Sequence, residues 1–163
     1  SAFELLQKEN NSVKLLLVGD YENDLDPLNA KTVESINSNA SILAVGFKND
    51  VRPYLAIANV LVFPSYREGF PNVVMQAGAM GLPSIVSDIN GCNEIIIEQE
   101  NGLIIPVKDE MAIFLAMKKM VTNSSLTSKM KDNSRQMIVS RYEQKVVWEA
   151  ILSEYRTFES PNV

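Results

Sequence analysis

One stretch of the sequence, from Phe63 to Pro83, gathers residue types that could meet a charged ligand. An apolar run ends at Pro64, a polar loop of Ser65, Tyr66, Arg67 and Glu68 follows, and Gly69-Phe70-Pro71-Asn72 leads into a helix start. The first backbone N–H groups of a helix have no partner within it, and the helix dipole is positive there. Such a terminus suits an anionic ligand such as phosphate. Glu68 would repel that anion, unless its carboxylate accepts hydrogen bonds from ligand hydroxyls or pairs with a cation. Gln76 lies about one helical turn further in and can turn toward the same crevice, while Arg67 is equally well explained by facing solvent. On these residues alone, a helix start capped by its own acid is as good an account as a binding site.

Composition narrows the chemistry. The 163 residues include no histidine, which excludes Ser-His-Asp triads, His-Cys nucleophile pairs and His-ligated zinc. Cys92 is the only cysteine, so neither an internal disulfide nor a cysteine metal cage can form. With 15 basic against 20 acidic residues the net charge is −5, which disfavours a nucleic-acid-binding surface. Asp20, Glu22, Asp24 and Asp26 alternate like metal ligands. No glycine takes the sixth position of a calcium loop, however, and Lys31 stands where its last Glu would be, so a solvated, capping loop is expected. No apolar run approaches the ~20 residues that cross a bilayer, and none has the make-up of a signal peptide. The opening Ser1-Ala2-Phe3 suits a piece of a longer chain.

These loops need a frame to hold them. Short apolar runs at Leu15 to Val18, Ile42 to Val45, Val60 to Phe63, Ser84 to Val86 and Leu103 to Ile105 are continuous rather than alternating, the pattern of parallel strands buried on both faces. Helical patterns lie between them. Asp26-Pro27 opens Leu28 to Ile36, Asp50 caps Val51 to Ala58, Pro71 opens a segment to Met80 stopped by Gly81 and Pro83, and Asp109 caps Met111 to Val121. After Asn123 the pattern stays helical to Phe158. One α/β domain is expected, a Rossmann-like, doubly wound parallel sheet of about five strands. Ligands of such sheets sit beyond the carboxyl ends of the strands. That rule points to Gly19-Asp20, Gly46-Phe47, Ser65 to Asn72, Asp88 to Glu94 and Pro106 to Asp109.

The order of these segments is specific. Gly19-Asp20, Gly46-Phe47, Ala58-Asn59-Val60 before Phe63-Pro64-Ser65, Glu68-Gly69-Phe70, Gly81-Leu82-Pro83, Gly91 to Glu94 and Asn101-Gly102-Leu103 recur in turn. The series resembles the C-terminal, nucleotide-sugar-binding domain of GT-B-fold retaining glycosyltransferases, over nearly the whole chain. That family's hallmark is a Glu, seven residues and a second Glu. Here Glu68 matches the first, while the second position is Gln76, whose amide can still accept a hydrogen bond but without a full charge.

The resemblance implies one half of a GT-B fold and a glycosyltransferase taking a nucleotide-diphosphate sugar, expected to be UDP-linked. Glu68 would hold donor-sugar hydroxyls or position the diphosphate end, as the catalytic carboxylate. Gly69, Phe70 and Pro71 would bring backbone close to sugar and phosphates, with Phe70, Asn72 and Val73 supplying N–H donors. Gly46, Phe47 and Lys48 would lie near the base, Ser65 would reach a phosphate, and Gln76 would face the ribose. No metal or other cofactor is implied. The implied partners are an N-terminal domain of the same enzyme and a glycan or lipid-linked acceptor in polysaccharide biosynthesis. A cytoplasmic site is implied, with peripheral attachment of the full enzyme at the inner membrane face. The strand expected upstream of Phe3 would carry an Arg and a Lys that neutralise the diphosphate, so this chain alone is expected to be catalytically silent. Two rivals stay open at this level: a GT-B-fold sugar-nucleotide epimerase, and a non-catalytic α/β binding module.

Overall fold

A computed structural model describes residues 1–21 and 27–159. Five parallel strands form where the apolar runs predict them: β1 (Leu15–Leu17), β2 (Ile42–Ala44), β3 (Leu61–Phe63), β4 (Ser84–Ser87) and β5 (Gly102–Ile105). Eight helices surround them among the described residues: α1 (Ala2–Glu9), α2 (Ala30–Ser38), α3 (Arg52–Ile57), α4 (Asn72–Ala79), α5 (Cys92–Ile95), α6 (Glu110–Thr122), α7 (Ser124–Tyr142) and α8 (Gln144–Glu159). This is the expected Rossmann-like, doubly wound α/β architecture.

The strands pair as two ladders rather than one continuous sheet. β1 pairs with β2, Leu15 opposite Ile42 and Leu17 opposite Ala44. β4 lies between β3 and β5, with Leu61 opposite Ser84 and Ser84 opposite Gly102. Burial follows the pairing. All four residues of β4 are buried, whereas β1 is half-buried and Leu43 of β2 is 49% exposed. The expectation of strands covered on both faces therefore holds for the middle of the larger ladder and fails for β2. An apolar run records what a strand could bury, but only its neighbours decide what it does bury.

Alternate residues of β4 and β5 feed cores on opposite faces. Ile85, Leu103 and Ile105 pack with Ala2 and Leu6 of α1, with Phe114, Met117 and Met120 of α6, and with Met130 of α7. Val86 packs the other way, with Val74 of α4, Cys92 and Ile95 of α5, and Ile138 of α7. Each fully buried aliphatic side chain contributes roughly 1.5–3 kcal/mol by leaving water. The Ser84 and Ser87 hydroxyls of β4 are buried without a partner among the described residues, and nothing in the structure accounts for them.

The start of α6 matches its capping signal: Asp109 accepts from the Ala112 N–H (2.9 Å). Asn123 caps α7 in the same way, accepting from the Leu126 N–H (3.0 Å). Four expectations are corrected. Asp50 does not cap α3, which begins at Arg52 with Val51 in the cap position; Asp50 instead accepts from the Arg52 N–H and binds its guanidinium in two further bonds, which hold its carboxyl down at about 2. α2 begins at Ala30, capped by Asn29, rather than at Asp26-Pro27; Asn29 accepts from the Thr32 N–H (2.9 Å), and Asp26 lies outside the described residues. α1 was not foreseen, although Glu4 three residues after Ser1 is a helix-start pattern. The long C-terminal helix is broken at Glu143, whose backbone turns extended (ψ 139°) although neither Gly nor Pro marks the place.

Helix α4 crosses α7 closely because residue 78 is glycine. A Cβ at Gly78 would stand 2.5 Å from Ile138 Cγ1 and 3.0 Å from its Cδ1. Alanine gains about 0.5–1 kcal/mol in helix propensity, against about 1–3 kcal/mol for overfilling a packed contact. Gly78→Ala is therefore expected to lower stability by about 1–2 kcal/mol in denaturant unfolding. A variant as stable as the parent would show that α7 gives way instead.

Candidate functional site

The loop between β3 and α4 is built on a helix start that no side chain among the described residues caps. Pro71 occupies the cap position with no side-chain hydrogen bond to the helix. Its carbonyl accepts from the Val74 N–H (3.1 Å) and the Met75 N–H (3.4 Å). Among the described residues no group accepts from the Asn72 or Val73 N–H. Two donors and the positive end of the dipole thus face outward, the arrangement that receives anions elsewhere. Gln76 is exposed, one turn beyond Asn72 on the same side, while Val74 and Ala77 face the core. Gln76 therefore does not pack against the sheet.

Glu68 is half-buried beside this terminus, and it does not cap the helix. Its Oε1 accepts from the Ser65 hydroxyl at 2.9 Å, so Ser65 orients the carboxylate and leaves its other oxygen available. The loop is pressed against the one that follows β4. A Cβ on Gly91 would lie 2.1 Å from the Gly69 carbonyl oxygen and 3.0 Å from Phe70 Cα, and Gly91 has φ +76°. Only glycine satisfies both conditions. The Gly91 N–H donates to Glu94 Oε1 (3.2 Å), which steadies the second loop. Cys92, the next residue, is fully buried; burial first, and then the negative charge of Glu68, push its thiol up to about 11.

The Gly46 loop makes a separate cluster. Gly46 has φ +69°, and its carbonyl accepts from the Gly19 N–H (3.0 Å). Asp20 Oδ1 accepts from the Phe47 N–H (3.0 Å). Asp20 thus joins two strand-end loops, and Glu22, Asp24 and Asp26 lie outside the described residues. Phe47 is 66% exposed and Lys48 half-buried. So Ser65, Glu68, Gly69, Phe70, Pro71, Asn72 and Val73 come together around one helix start, with Gln76 at its side. Gly46, Phe47 and Lys48 sit at the end of the other ladder, and among the described residues no hydrogen bond or ring contact joins the two groups.

One contribution was missed from sequence. Tyr142, at the end of α7, places its ring edge against Phe70 and carries no local signal, because the two lie far apart in the chain. In the Pro106 to Asp109 segment, Lys108 Nζ lies 4.7 Å over the Tyr66 ring. Among the described residues no group of three His, Cys, Asp or Glu side chains is placed to hold a metal. A hollow of about 480 Å³ between α1 and α2 is lined by Glu4, Lys31, Glu34, Ser35, Ser38 and Asn39, whereas donors and a carboxylate converge at the end of β3.

The sequence profile of the glycosyl transferases group 1 family matches residues 1–123. The chain belongs to this family. It is 34% identical over 139 residues to a UDP-Gal:alpha-D-GlcNAc-diphosphoundecaprenol alpha-1,3-galactosyltransferase of Escherichia coli, covering 82% of this chain and 35% of that protein. It is 27% identical over 157 residues to the capsular polysaccharide biosynthesis glycosyltransferase CapM of Staphylococcus aureus, covering 96% of this chain and 41% of that one. The fold matches Anabaena Alr3699/HepE, solved in complex with UDP, with a TM-score of 0.83, 17% identity and coverage of 96% and 44%. It also matches the C-terminal domain of the group 1 protein LpcC from Francisella tularensis, with a TM-score of 0.78, 21% identity and coverage of 88% and 76%. The resemblance to a C-terminal GT-B glycosyltransferase domain thus holds. The chain spans about two fifths or less of the curated relatives it matches.

The buried thiol gives a direct check on the packing around Glu68. With Cys92 at about 11, roughly a thousandth of it is thiolate at pH 8, and the pocket is closed to solvent. Alkylation by iodoacetamide should be orders of magnitude slower in the folded protein than in denaturant. Equal rates would show that the Gly91 loop does not stay against Gly69.

Proposed function

We propose that this chain is the donor-binding, C-terminal part of a glycosyltransferase, and that it takes a nucleotide-diphosphate sugar, expected to be UDP-linked. The observation that carries the reading is the uncapped start of α4, with the Asn72 and Val73 N–H groups unaccepted beside a carboxylate that Ser65 orients. An anionic diphosphate satisfies the amides, and the hydroxyls of a sugar satisfy Glu68. A simple anion site would have no use for the carboxylate. The UDP complex of one structural neighbour and the UDP-Gal donor named for one relative support the choice of nucleotide.

In the transfer, the bond from the anomeric carbon to the diphosphate oxygen breaks as a bond to the acceptor oxygen forms, and the departing nucleotide gains negative charge. Donors already aimed at that position stabilise it without reorganising. Asn72, Val73 and Phe70 amides supply part of this, Glu68 fixes the sugar, Gln76 accepts from the ribose, and Gly46, Phe47 and Lys48 meet the base. Retaining stereochemistry belongs to the same reading. The acceptor is a glycan or a lipid-linked sugar, the latter being what the E. coli relative's name describes. A further domain supplies the acceptor site, and the strand expected upstream of Phe3 supplies the Arg and Lys that neutralise the diphosphate. The chain's short span of its relatives supports this, as does α8, which leaves Trp148, Tyr155 and Phe158 exposed. Among the described residues no helix is long and apolar enough to cross a membrane; peripheral attachment of the whole enzyme belongs to the same reading.

A nucleotide titration tests the reading. The chain should bind UDP weakly and turn over no UDP-sugar. Gln76→Glu should tighten binding by up to about 1 kcal/mol through a charged acceptor, and Gln76→Leu should weaken it, both differences shrinking with 2′-deoxy-UDP. In the whole enzyme Glu68→Ala should lower transfer by orders of magnitude at nearly unchanged melting temperature. Rapid transfer by this chain alone, or a Glu68→Ala variant that is unstable but active, would overturn the assignment.

A further inference from the structure

The end of α7 reaches across the molecule to the candidate site. Arg141 and Tyr142, its last two residues, bind the carbonyls that close the short helix α5. The Glu94 carbonyl accepts from Arg141 Nη1 (3.0 Å) and from the Tyr142 hydroxyl (2.9 Å), and the Ile95 carbonyl accepts from Arg141 Nη2 (2.7 Å). Such terminal carbonyls have no partner within a helix; the Ile95 carbonyl also accepts from Asn101 Nδ2 (3.1 Å), whereas the Glu94 carbonyl is met by the two α7 side chains. The Arg141 guanidinium also lies 5.0 Å over the Tyr142 ring and binds back to the Met137 carbonyl. The ring is thereby held from both ends.

What that fixed ring touches is Phe70. The two ring centroids are 5.4 Å apart at 67°, an edge-on contact. Phe70 is 41% exposed, more than a residue kept only for the core would be. Its loop has further holds: Ser65 binds Glu68, Lys108 Nζ lies over the Tyr66 ring, and Gly91 backs Gly69 and the Phe70 backbone. Tyr142 adds a hold on the Phe70 side chain itself, at the point where the loop turns into α4.

We propose that Tyr142 is a positioning residue for the nucleotide-sugar site: pinned at its hydroxyl, it holds Phe70, and through it the Glu68–Asn72 backbone, in the shape that meets the ligand. This rests on the donor-binding reading above. Tyr142 touches no reacting group and acts only through Phe70. It therefore differs from Glu68, whose loss would remove a ligand contact outright.

Two measurements on the chain test it. Without nucleotide, Tyr142→Leu should lower the amide-nitrogen NMR order parameters of Gly69, Phe70, Asn72 and Val73, leaving those of Ala77, Gly78 and the β4 residues unchanged. With UDP as probe, Tyr142→Leu and Phe70→Leu should each weaken binding five- to tenfold. The double variant should lose no more than the larger single loss, since one removes what the other acts through. Tyr142→Phe keeps the ring but not the hydroxyl pin, and should fall between the parent and Tyr142→Leu in both readouts. Should Tyr142→Leu fail to fold, the cycle of Tyr142→Met with Phe70→Leu carries the same comparison. Additive losses, undisturbed loop order, or order falling evenly through α4 and β4 would overturn the proposal. If the parent chain binds no UDP, the donor-binding reading fails, and loop order alone still decides whether Tyr142 holds Phe70.

Discussion

The site depends on one place where two backbones pass with room for nothing larger than a hydrogen. Gly91 stands against the Gly69 carbonyl and Phe70 Cα, with a positive φ that other residues rarely adopt. That contact locks the loop after β4 under the loop after β3. It brings Cys92 close enough to Glu68 to feel its charge. A side chain at position 91 would have to push the loops apart, and every other contact of the site would move with them. The fold accepts two irregular, polar loops here because each supplies part of the other's wall.

Charge is arranged to match. The chain is acidic overall, and although Lys48, Arg67 and Lys108 stand in loops after its strands, among the described residues no cation pairs with Glu68. Backbone amides and a helix dipole provide the local positive potential instead, and they can be presented without desolvating a lysine or arginine. Arg141 is used structurally, with its guanidinium spent on three carbonyls. This division explains how a carboxylate can stand beside an anion site. Glu68 is oriented by a neutral hydroxyl rather than neutralised by a cation, and stays available to ligand hydroxyls.

Helices carry the long-range order. α7 packs Met130 against one face of the larger ladder and Ile138 against the other core, and ends on the carbonyls of α5. It therefore joins both cores to the site through one rigid element. α8 departs after the break at Glu143 and leaves an apolar face exposed, so its packing contributes little to the described fold.

Much of this was legible in the amino-acid order. The five strands, the cap at Asp109 and the opening of α4 at Pro71 follow from local rules, because apolar runs, cap residues and proline act within a few positions. Glu68-Gly69-Phe70 identified the loop, since its motif is contiguous. The division into two ladders, the exposure of Leu43, the start of α2 at Ala30 and the break at Glu143 were decided only in three dimensions, where neighbours rather than intrinsic preferences choose what is buried and where a helix stops. Gly91 was recognisable as a residue of unusual backbone, but not as the residue that touches Gly69. Tyr142 was invisible as a part of the site. Its partners Phe70 and Glu94 lie about 70 and 50 positions away, and no local pattern encodes a contact made only when the chain has folded back on itself.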